Sequence, residues 1–172
     1  MQDFARQLTC EHRLSPADLI QPLFVAEGAQ IGPVASMPGI QRHALEQLGA
    51  ECRRVQALGV PAVALFPVLP PEAKDDSGSA ALDPDGLVPR AVRALKREFP
   101  QLGLMTDVAL DPYTTHGQDG LPDENGYIVN EKTIAMLTRQ ALAQELSPEL
   151  AAHEDALLLD PRLAERVAAI DA

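Results

Sequence analysis

The chain has 172 residues, a formal net charge of -11 at pH 7 with a pI near 4.7, and is 46% hydrophobic. That length suits one domain with a substantial core, and the acidic balance leaves no electrostatic footprint for nucleic acid or an anionic membrane. Cys10 and Cys52 have neither metal-ligand nor disulfide spacing, no charged-then-apolar leader precedes them, and the longest apolar run falls far short of the roughly 20 residues that span a bilayer, so a soluble chain of the reducing cytoplasm is expected.

In "RLSPADLIQPLFVAEG", Ser15, Pro16 and Asp18 form a helix-start signal ahead of the apolar stretch Leu23, Phe24, Val25. The pattern predicts a short helical turn leading into a strand. "ALEQLGAECRRVQALG" repeats Leu45, Leu48, Cys52 and Val55 at helical spacing and ends on Gly59, which predicts an amphipathic helix. "PAVALFPV", closed by Pro67 and the Pro70-Pro71 pair, reads as a strand buried on both faces. "PEAKDDSGSAALDPDG" is a loop too long for a mere connector, in which Lys74, Asp75 and Asp76 are expected to be no more than a solvated stretch. "LVPRAVRALKREF" sets Leu87, Ala91, Val92, Leu95 and Phe99 on one side and its cations on the other, a second helix.

"LGLMTDVAL" is the third strand. After a polar loop, Asn130 is positioned to cap "EKTIAMLTRQALAQ", whose buried face is predicted from Ile134, Leu137 and Ala141. Strands alternating with helices require right-handed crossovers and a parallel sheet, so the fold class is α/β. In a barrel built this way the chemistry sits at the carboxyl ends of the strands.

The third strand ends at such a place, in "TDVALDPYTTHGQDG". Strand alternation would put Asp107 and Asp111 on one face. Carboxylates directed at an apolar interior need a partner, and the candidates are Asp119 and His116 from the following loop, a divalent cation, or a cationic substrate. The plainer alternative is that Asp111-Pro112 merely starts a turn and Asp107 hydrogen-bonds a neighbouring backbone, Asp-Pro and Asp-Gly being ordinary turn chemistry, with His116 a simple loop histidine.

"SMPGIQR", "LGVPAVALFPVLPPEAKDDSGSAALDPDGLVPRAVRALKREFPQLGLMTDVALDPYTTHGQDG" and "ENGYIVNEKTIAMLTRQALAQ" resemble the amino-terminal part of the δ-aminolevulinate dehydratase (porphobilinogen synthase) family, from about residue 13 to Gln144. The resemblance implies a (β/α)8 barrel, here about three parallel strands of it, and a cytoplasmic place in tetrapyrrole and haem biosynthesis. It implies condensation of two δ-aminolevulinate molecules to porphobilinogen with loss of water. Asp107 matches the family's active-site aspartate. The three cysteines of the family's zinc-using branch correspond to Ala109, Asp111 and Asp119, so a cysteine-type zinc site is not expected. The aspartate-bearing branch is implied instead, in which Asp111 and Asp119 either hold Mg²⁺ or another hard cation, or receive the substrate's amine. Homo-oligomers built with an amino-terminal arm are a further family property, although few residues precede Arg13.

From Glu145 the sequence departs from that pattern. Residues 1–144 are therefore expected to be the amino-terminal part of such a barrel and 145–172 a divergent tail of two short helices, started at Ser147-Pro148 and Asp160-Pro161. The leucines Leu150, Leu157, Leu158, Leu159 and Leu163 of that tail are expected to pack on the sheet or to pair two chains. Imine chemistry needs a desolvated lysine, yet only Lys74, Lys96 and Lys132 occur and none lies in an apolar strand, so no Schiff-base lysine is assigned. Two expectations follow: a dehydratase-like chain without independent activity, or a non-catalytic module that pairs with itself or with a full-length relative.

Overall fold

The computed structural model describes residues 3–145. The tail helices expected beyond Glu145, with their leucines, lie outside the described residues. The elements are α1 (Asp3–Leu8), β1 (Ile20–Ala26), β2 (Gly32–Pro33), β3 (Gln41–His43), α2 (Leu45–Ala57), β4 (Ala62–Val68), α3 (Leu87–Glu98), β5 (Gly103–Thr106) and α4 (Asn130–Glu145). Before β1 a single 3-10 turn covers Pro16–Asp18, and it closes as the Ser15 signal predicts: the Ser15 N–H and hydroxyl both donate to the Asp18 carboxylate at 2.8 Å. α2 stops at Gly59, which adopts a positive φ of 81° that a side chain would strain.

One sheet runs in the order β2-β3-β1-β4-β5. β3, β1, β4 and β5 are parallel neighbours, and only the two-residue β2 pairs antiparallel, with β3. Alternation along the strands directs Leu23 and Val25 of β1 and Val63 and Leu65 of β4 to the face covered by α2 and α3. There they meet Leu48, Cys52 and Val55 of α2 and Val88, Ala91, Val92 and Leu95 of α3. Each Leu or Val among them contributes about 1.5–3 kcal/mol by leaving water. Burial also pushes the Cys52 thiol up to about 11, which keeps it protonated and unreactive.

The opposite face is less covered among the described residues. Phe24 and Phe66 sit on it with ring centroids 6.1 Å apart, while Ile20 and Met105 are about half exposed, at 47% and 51%. β4, expected to be buried on both faces, is thus sealed by helices on one. Each parallel strand followed by a helix on the same side of the sheet is the repeating unit of a (β/α)8 barrel, and the described residues form part of such a wall.

Three further sequence expectations change. The sheet has five strands rather than about three, because β2 and β3 are too short to show a period in sequence. The face of α4 that turns inward is Thr133, Met136, Gln140 and Gln144, with Leu137 half-buried, whereas Ile134 is 51% exposed and Ala141 only half-buried. Polar residues take the inner positions there because the loop and strand end beneath them present backbone groups that require partners. Lastly, β5 ends at Thr106, opposite Leu65 of β4, so Asp107 and Asp111 do not alternate along one strand. Among the described residues no helix is long and apolar enough to cross a membrane.

Candidate functional site

Beyond Thr106 the chain leaves the sheet and turns. Asp107 and Val108 are exposed, Ala109 and Leu110 are buried, and the N–H groups of Tyr113 and Thr114 both donate to the Leu110 carbonyl, at 2.9 and 3.0 Å. Asp111 lies inside this turn. Asp119 folds back from the loop and its Oδ1 accepts the Leu110 N–H at 2.6 Å. The Asp111 carboxyl is pushed above its ordinary range, first by partial burial, then by the negative charges of Asp119 and Asp107, with Lys74 pulling it the other way. The three aspartates therefore do share one region at the carboxyl end of β5, but a turn, rather than strand alternation, gathers them.

The long loop before α3 is a working part of this region. Asp75 forms an isolated parallel bridge with Thr114: its N–H donates to the Tyr113 carbonyl at 3.3 Å and its carbonyl accepts from the Thr115 N–H at 3.0 Å. The Asp75 side chain accepts from the N–H and hydroxyl groups of both Ser77 and Ser79, and these bonds hold its carboxyl well below the usual range. Asp76 accepts from the Thr115 hydroxyl. The stretch expected to be merely solvated is therefore docked on the aspartate loop, and it carries Lys74 toward Asp111.

His116 has both ring nitrogens in use. The Gln118 N–H donates to Nδ1 at 3.1 Å, so Nδ1 is the unprotonated nitrogen and Nε2 is the one that donates to the Asp76 carbonyl, also at 3.1 Å. In this arrangement the imidazole joins the two loops. Tyr113, under the same turn, is pushed up to about 12 by burial and stays a neutral phenol.

From the other side α4 supplies two buried amides. The Gln140 Nε2 donates to the Ala109 carbonyl at 2.9 Å and the Gln144 Nε2 to the Asp107 carbonyl at 3.2 Å. Higher on the same helix the Thr133 hydroxyl accepts the Leu121 N–H at 3.0 Å and donates to the Val129 carbonyl at 2.9 Å. None of these three residues was picked out in sequence. The only signal available was their spacing, 133, 140 and 144, on one side of a helix.

Among the described residues no three His, Cys, Asp or Glu side chains are grouped to hold a metal ion. Asp111 and Asp119, the expected metal ligands, supply two carboxylates, of which one oxygen is already engaged by Leu110. That donor set alone does not complete a coordination sphere for Mg²⁺. Of the three lysines, Lys74 lies in the docked loop rather than a merely solvated one, Lys96 donates to the Leu102 carbonyl at 3.1 Å, and Lys132 is exposed in the first turn of α4.

Comparison with known proteins decides the family. The family profile described as Delta-aminolevulinic acid dehydratase matches residues 1–147. The chain belongs to the delta-aminolevulinic acid dehydratase family. The dehydratase of Bradyrhizobium diazoefficiens is 44% identical over 164 residues, covering 94% of this chain and 46% of that relative. The chloroplastic delta-aminolevulinic acid dehydratase of Physcomitrium patens is 47% identical over 135 residues, 78% of this chain and 31% of that one. A crystal structure of delta-aminolevulinic acid dehydratase (porphobilinogen synthase) from Toxoplasma gondii, in complex with the reaction product porphobilinogen, superposes with a TM-score of 0.79 at 42% identity, covering 83% of this chain and 41% of that one. The fold is that of the dehydratase TIM barrel, of which the described residues make a part. The chain spans less than half the length of these dehydratases. The family match ends near the boundary expected at Glu145, whereas a similarity covering 94% of the chain runs past that residue wherever it starts.

Proposed function

We propose that this chain serves porphobilinogen synthesis by forming the part of the site wall that receives the amine of δ-aminolevulinate. The observation that carries the reading is the placement of Asp111 beside Asp107 and Asp119, with its carboxyl destabilised as an anion. A protonated amine entering there would be stabilised by the carboxylates and would in turn restore the ionised form of Asp111. Asp107 is the group proposed to touch the amine, Asp111 and Asp119 complete the anionic wall, and His116 holds the loop that carries them. Mg²⁺ commonly keeps several waters and uses one or two carboxylates, so a hard cation at Asp111 and Asp119 is the competing occupant.

The chain is proposed to have no turnover by itself, because none of Lys74, Lys96 and Lys132 lies in the apolar setting that makes an amine nucleophilic. Titration of the purified chain with δ-aminolevulinate, followed residue by residue by amide NMR, tests the reading. Shifts centred on residues 107–119 and on the 74–78 loop, reduced in Asp119→Asn, are expected. Shifts absent or scattered elsewhere would overturn it, and shifts produced by Mg²⁺ alone would favour the metal. A turnover assay on the chain alone and mixed with a complete relative tests the missing activity.

A second reading is favoured by the uncovered side of the sheet. The outer edge of β5 carries no strand among the described residues, and Met105 and Val108 beside it are exposed, at 51% and 40%. An open parallel edge next to apolar surface is a pairing site, and the proposed occupant is a second copy or a full-length relative, giving a homo-oligomer or mixed assembly. Sedimentation of the chain alone and with that relative measures this. The cytoplasm remains the proposed location; the Physcomitrium patens relative is named as chloroplastic.

A further inference from the structure

We propose that Gln140 and Gln144 are positioning residues for the carboxylate site: their amides replace the strand ladder along residues 107–109 and so set where Asp107 and Asp111 stand relative to Asp119. The assignment deepens the functional reading above, since it concerns the same site. Beyond Thr106 the chain has lost its partner on β4, yet its carbonyls still need donors. α4 delivers them from two side chains, to the carbonyls of Asp107 and Ala109.

The two spacings are commensurate. Four residues of helix rise about 6 Å, and two residues of extended chain advance about 6.6 Å. Alternate carbonyls of an extended segment also point the same way. Glutamines at i and i+4 can therefore reach carbonyls two residues apart, as Gln144 and Gln140 do at Asp107 and Ala109.

Burial sharpens the point. Gln140 is 0% exposed and Gln144 5%, and the Oε1 atoms of both have no hydrogen-bond partner among the described residues. A buried unpaired acceptor is costly, and leucine or methionine would fill the same space without it. What the amide adds at both positions is its donor, and both donors go to the segment that carries the aspartates. The next residue along, Leu110, gives its N–H to Asp119, so the clamped carbonyls, the turn and the returning carboxylate form one connected set.

Hydrogen exchange separates positioning from ordinary stability, and it is measured without substrate, so its outcome is independent of whether δ-aminolevulinate binds. Gln140→Met and Gln144→Met keep length and remove the donor. In Gln140→Met the Leu110 amide is expected to exchange at least about tenfold faster, while the core amides of Val63 and Leu65 on β4 keep their rates, the pattern of a local opening. An unchanged Leu110, or equal acceleration of all three amides, would overturn the proposal. Should Gln140→Met fail to fold, the wild-type chain still decides: the side-chain NH2 protons of Gln140 and Gln144 must exchange far more slowly than those of the exposed Gln7, and equal rates would refute the clamp.

Discussion

Replacing Asp119 by alanine removes the acceptor that holds the Leu110 N–H at 2.6 Å in a part-buried bond, and Leu110 is itself fully buried, so the donor it abandons is left only partly within reach of water. An orphaned buried donor costs about 1–3 kcal/mol. Asp119 itself is exposed, which places the expected loss at about 1–2 kcal/mol, because part of the bond is already screened by solvent. Asp119→Asn keeps an acceptor oxygen in the same place and loses only the charge assistance, and it also relieves the repulsion that Asp119 exerts on Asp111. The two effects oppose, so this variant should lie within about 0.5 kcal/mol of the parent. Urea unfolding at pH 7 reads both. With a slope of about 2 kcal/mol per molar urea, the middle of the range for small proteins, alanine should lower the midpoint by roughly 0.5–1 M and asparagine should barely move it. Equal midpoints for the alanine variant and the parent, or equal losses for both variants, would show that the hydrogen bond does not hold the turn.

Asp111→Asn should be more stable than the parent at pH 7, since the folded state raises the Asp111 pKa and so disfavours its charge; the advantage should shrink as pH falls toward the ordinary 3.8, where the parent protonates in the folded state first. Urea midpoints between pH 7 and 3.5 check it, and a gap that widens on acidification would contradict the crowding of the three carboxylates. Asp75→Asn carries the opposite sign: its folded pKa is depressed by Ser79 and Ser77, so the parent's advantage should be full at neutral pH and vanish as pH drops through 3.8 and below. A pH-independent difference would mean that those serine bonds do not persist in solution. Borohydride reduction with δ-aminolevulinate should leave the intact mass unchanged, and a stoichiometric adduct on Lys74, Lys96 or Lys132 would refute the assignment of no imine lysine.

Much of this protein was legible without coordinates. The inward sides of α2 and α3 follow from Leu48, Cys52 and Val55, and from Ala91, Val92 and Leu95, since apolar spacing records which side of a helix leaves water. The parallel order of β1, β4 and β5 follows from their alternation with helices. Aspartates at the end of the third strand were visible as well, because a carboxylate beside a buried strand is conspicuous in any sequence. Tertiary structure alone decided how they meet. Asp119 returns on a loop, Asp75 and His116 tie a loop about forty residues away to that one, and Gln140 and Gln144 turn a polar side of α4 inward. Hydrophobic periodicity is a local property of the chain, since it reports transfer out of water one side chain at a time. The burial of a polar side chain is favourable only when a partner from elsewhere in the chain satisfies it, so its position is set by contacts that no local window contains.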